Sequence, residues 1–126
     1  MCGDDEEHDH EHGHLDDALF HRFLHLTADY NIEVTASANG APASLADEKI
    51  RASYLEGLFR AGLTRAVNDA ASLPEGDRMD AISGQSIVFA RLAGLLSGLF
   101  PKDSDQFHTI VSAMMQGYNE SSAEDV

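Results

Sequence analysis

Four histidines alternate with acids or glycine near the N-terminus: His8, His10, His12 and His14, in the run DDEEHDHEHGH. Neutral imidazole is the commonest side-chain ligand for zinc, nickel and copper, and carboxylates add oxygen donors beside it. The eleven residues of the run hold four imidazoles and six carboxylates, with no lysine or arginine to compete. A peptide of that composition has the capacity to bind divalent metal. A flexible tail imposes no coordination geometry, so affinity should follow the Irving–Williams trend and favour copper, nickel and zinc over manganese. The competing reading is a disordered, solubilising tail, because so polar a run cannot bury enough apolar surface to fold alone.

A second set lies further on. Asp17, His21 and His25 are spaced four apart and stack on one face of a helix, with His14 one more turn back. Two histidines at that spacing can chelate one metal ion, and Asp17 could be a third ligand. A mobile tail would then capture metal and a fixed stripe would hold it, provided further groups orient each imidazole. The same stripe also reads as a solvated polar face that happens to use histidine. Ligation requires neutral imidazole, so binding should weaken as pH falls through about 6.5. Cys2, the only cysteine, excludes an intrachain disulfide and is either an extra soft ligand or an incidental exposed thiol. In composition the tail resembles the His-rich ends of nickel- and zinc-handling proteins such as urease and hydrogenase accessory factors. The resemblance is confined to the tail, and the rest of the chain suggests no family.

Catalytic signatures are lacking. No Gly-rich phosphate loop, nucleophile elbow or zinc-protease helix motif occurs. A di-iron bundle site needs Glu-x-x-His motifs from two helices. Here Glu7-x-x-His10 and Glu11-x-x-His14 sit in the tail, and only Asp105-x-x-His108 follows later. The net charge of −14 is uneven, with eight acids and no base in residues 1–17. Such a field repels phosphate backbones and anionic lipid, so nucleic acid and acidic membrane are not expected partners, whereas cations and basic proteins are. The segment Leu55–Asn68 has a helix-turn-helix flavour, with Arg51, Arg60 and Arg65 nearby. A basic footprint is missing, so a continuous helix is the better reading. A start of Cys-Gly-Asp-Asp after Met1 also looks like a mature bacterial lipoprotein after loss of its signal peptide. That leaves a cytoplasmic protein as the expectation and a lipid anchor on Cys2 as the alternative.

The elements that would position these groups are helical. Residues 1–13 read as tail. From His14 to Tyr30, Leu15, Leu19, Phe23, Leu26 and Tyr30 fall on one narrow face, opposite the histidine stripe. Asn31 to Ala43 breaks the pattern, with Ile32–Thr35 as a short extended piece. Ser44 looks like the N-cap of a second helix that runs to about Ser72, with Ile50, Tyr54, Leu55, Leu58, Phe59, Leu63, Ala66 and Val67 inward. After the Leu73–Gly76 break, a third helix should span Asp77 to Phe100 and stop before Pro101. From Ala81 to Phe100 its only charge is Arg91. Asp103 with Gln106 suggests a capping box for a fourth helix over 104–118, and residues 119–126 read as a frayed polar end.

The expected fold is therefore all-α: an antiparallel bundle of about four helices over 14–118, with a disordered acidic His-rich tail. The third helix should be the longest and its apolar residues the least exposed. Ser86, Ala90, Gly94 and Gly98 form a small-residue ridge that could serve as a homodimer seam on that helix or its neighbours. Membrane insertion of that helix is disfavoured by Arg91 and Gln85. Two functions follow. The first is a non-enzymatic protein that buffers or delivers nickel, zinc or copper. The second is an acidic helical interaction module, such as an adaptor, chaperone or anti-factor, that engages a basic protein.

Overall fold

The computed structural model describes residues 2–36 and 40–122, with side chains from Asp16 onward. Its elements are four helices: α1 (Cys2–Asp29), α2 (Glu48–Ser72), α3 (Glu75–Ser97) and α4 (Gln106–Ser121). No strand occurs among the described residues, so the all-α expectation holds, and Ile32–Thr35 is irregular rather than extended in a sheet. The expectation of a disordered tail over 1–13 concerns residues whose side chains lie outside the described set.

Local chemistry explains where the helices start and stop. Asn31 takes a left-handed backbone, φ 59°, which asparagine tolerates better than most residues. Its N–H donates to the Ala28 carbonyl at 2.9 Å, and the N–H of Ile32 donates to Thr27 at 3.0 Å. That pair of bonds is a Schellman cap and ends α1 where the sequence pattern breaks. The α2 cap differs from the expectation. Asp47, not Ser44, is the N-cap, and its Oδ1 accepts from Lys49 N at 2.8 Å and Ile50 N at 3.4 Å. Ser44 Oγ instead accepts from Ala46 N at 3.1 Å in a local turn, the alternative that serine side chains offer near helix starts.

α2 runs unbroken through Gly57 and Gly62, so there is no helix-turn-helix. α3 starts at Glu75, two residues early, because Pro74 pre-sets the backbone for a helix start. Its α-helical part ends at Ser97. Leu99 N and Phe100 N then bond back three residues, to Leu96 and Ser97, as the last turn tightens before Pro101. The Asp103–Gln106 capping box does not form. Asp105 is the N-cap of α4 and its side chain makes no cap bond.

Two compact units emerge. One comprises residues 1–34 and 91–126; the other comprises 35–90. In the first, Leu19, Phe23, Leu24 and Leu26 of α1 are partly covered, as its periodicity predicts, and Leu99 is buried. Arg22 of α1 donates through Nε (3.1 Å) and Nη2 to the Leu99 carbonyl, which would otherwise be an orphan acceptor at the end of α3. Arg91 Nη2 donates to the Tyr30 hydroxyl at 3.1 Å and its guanidinium lies 5.9 Å from that ring's centroid. These two links, 22 to 99 and 30 to 91, make α1 antiparallel to the C-terminal part of α3.

In the second unit, α2 and the first part of α3 form an antiparallel hairpin. Along the seam its covered positions are mostly small: Gly62, Ala66 and Ala70 on α2, and Ala81 and Gly84 with Gln85 on α3, while Tyr54 is partly covered elsewhere on α2. Gln85 Nε2 donates to the Ala66 carbonyl at 3.1 Å and ties the helices together. This overturns the expected inward set of α2. Ile50, Leu55, Leu58, Phe59, Leu63 and Val67 are all exposed, while Tyr54 and Ala66 are partly covered. It also overturns the expectation for α3, which at 23 residues is shorter than α2 at 25 and buries none of its residues. A contact made mostly through small residues leaves the large side chains pointing elsewhere, although a methyl group at Gly62 or Gly84 would still meet nothing within 4 Å. Among the described residues, no helix is long and apolar enough to cross a membrane.

Candidate metal site

The polar face of α1 is where sequence and structure meet. Its opposite face carries the partly covered leucines and Phe23, so helical periodicity turns Asp17, His21, His25 and Asp29 to solvent, and all four are exposed. The rings of His21 and His25 stand edge to face, with centroids 6.1 Å apart and an interplanar angle of 62°. One helical turn separates them, which is the spacing at which two imidazoles can share an ion. Asp17 and Ala18 line the same shallow groove, together with Arg22.

Arg22 decides whether that groove suits a cation. A free guanidinium beside two imidazoles would repel a metal ion. Here the guanidinium is held by the Leu99 carbonyl, yet it still lines the groove and keeps its positive charge, so it counts against a cation there. Sequence reasoning missed this link, because nothing local marks a partner 77 residues away. No protein group hydrogen-bonds to either imidazole among the described residues, so the orienting groups that sequence reasoning asked for are not in place.

The remaining predicted ligands divide cleanly. The side chains of His8, His10, His12 and His14 lie outside the described residues. Asp17, His21 and His25 share one face and one groove, yet among the described residues no three His, Cys, Asp or Glu side chains are gathered as a metal-holding group. His108 is exposed near the start of α4, apart from any such cluster. What is assembled is thus a two-imidazole pair with a carboxylate one turn away. Such a pair can coordinate a transition metal and leaves the other positions of the ion to water or further donors. Comparison with protein-family models, with curated proteins and with solved structures finds no match to this chain.

Proposed function

We propose that the protein is a non-enzymatic transition-metal-binding protein that buffers or delivers nickel, zinc or copper. The observation that carries this reading is the juxtaposition of His21 and His25, 6.1 Å apart on the solvent face of α1. His8, His10, His12 and His14 capture the ion. His21 and His25 hold it as a chelating pair, with Asp17 as the neighbouring oxygen donor. The absence of lysine and arginine from residues 1–17 keeps the approach favourable to cations.

Calorimetry with zinc and nickel tests the reading, on the full chain and on a chain lacking residues 1–13. Full-length protein should bind several equivalents, and the shortened chain should retain the weaker His21–His25 event. Equal and negligible binding by both removes the proposal. Elemental analysis of protein purified without affinity resin identifies which metal it carries.

A second reading, an acidic helical interaction module, is favoured by the number of large apolar side chains left exposed, Phe20, Phe59 and Met79 among them. Capture of a basic protein partner that persists after chelation of metal supports this reading, and loss of that partner on chelation supports the first.

A further inference from the structure

The α2–α3 hairpin of residues 35–90 places its covered seam only near the turn. On α2 the seam positions 62, 66 and 70 continue at helical spacing to 59 and 55, and on α3 positions 81, 84 and 85 continue to 88. Leu55, Phe59 and Val88 therefore belong to the same faces as the seam, yet they are more than half exposed. For antiparallel helices, Leu63 and Val67 on α2 and Ile82 and Phe89 on α3 fall on one broad side of the hairpin. That side is apolar and open. Phe59, Leu63, Val67, Ile82, Val88 and Phe89 retain between 45% and 61% of their accessible surface.

We infer that this face is the interface with a second copy of the same chain. Area supports this. Large apolar residues present about 150–200 Å² each when free, so six that are about half exposed leave roughly 500–700 Å² per copy. A stable interface takes about 800 Å² from each partner, a gap that Leu55 and the aliphatic stems at the rim fill. Charge selects the occupant. Residues 35–90 carry seven acids and five bases, whereas the rest of the chain carries fifteen acids and three bases. A basic protein is drawn to the strongly acidic remainder. The near-neutral hairpin, with Glu56–Arg60 and Arg65–Asp69 already paired along α2, meets its own copy with little repulsion. The seam is thus assigned to the α2–α3 face rather than to the Ser86–Gly98 ridge. Ser86 and Ala90 lie on the far side of α3 from the covered residues.

Sedimentation velocity of the full chain from about 1 µM to roughly tens of micromolar tests the inference. A species of twice 13.6 kDa is expected, and a monomer throughout overturns it. Phe59→Glu should return the mass to that of one chain, or weaken association by at least about tenfold, while Gly94→Leu leaves it unchanged. The reverse pattern overturns the assignment of the face. Because Phe59→Glu could also impair folding, the native protein supplies an independent readout. In an equal mixture of isotope-labelled and unlabelled chains, cross-peaks between copies should link the methyls of Leu63, Val67, Ile82 and Val88. A dimer lacking those cross-peaks overturns the inference.

Discussion

His21 and His25 are the residues on which the proposed metal chemistry turns, and their adjacency was legible from a spacing of four. The pair should act as a unit. Replacing either by alanine converts a chelate to a single ligand, so His21→Ala and His25→Ala should each weaken the event retained by the shortened chain by about tenfold or more. The double variant should fall little further. Additive losses in calorimetry would mean that the imidazoles bind separately. Protons compete with metal for the same nitrogens, so affinity should fall on acidification, where binding should release protons. Binding unchanged at the acidic end would place the metal on carboxylates instead. What spacing could not reveal was Arg22. Its engagement with the Leu99 carbonyl is a contact between distant parts of the chain, and local pattern carries no trace of it.

The helices themselves were legible because apolar periodicity and breakers are local signals. Asn31, Leu73–Pro74 and Pro101 each mark a real end. Caps were less legible, since Ser44 and Asp47 both suit an N-cap and only the path of the backbone chooses between them. Asp47→Ala should therefore destabilise the protein by about 1 kcal/mol, while Ser44→Ala should stay within about 0.5 kcal/mol in denaturant unfolding. The opposite ranking would return the cap to Ser44. Glycines inside α2 offer a gain. A methyl group at Gly57 or Gly62 meets nothing within 4 Å, so alanine at either should raise stability by about 0.5–1 kcal/mol through helix propensity alone. A loss at Gly62 would show that the hairpin seam closes more tightly in solution. The inward set of α2 was misread for a physical reason. Periodicity finds an apolar stripe but does not say which of its members, the small or the large, meet the neighbouring helix.

For the molecule as a whole, uneven charge sets how association responds to salt. Two copies that meet through near-neutral hairpins still carry the acidic remainder of both chains, and this repulsion is screened as ionic strength rises. Association between copies should therefore strengthen from about 20 to 300 mM sodium chloride, whereas capture of a basic protein should weaken over the same range. A dimer that dissociates with added salt would point to an ionic seam and against the apolar face. The Gln85–Ala66 tie also bears on how the hairpin opens. Because that bond and a few small residues close only the turn end, the first half of α2 has little tertiary packing to protect its amides. Hydrogen exchange should be fast at Leu55–Leu58 and slow around Ala66–Ala70 in dilute protein. With rising concentration the fast segment should slow first, so that the least protected stretch of the helix becomes a gauge of its occupancy.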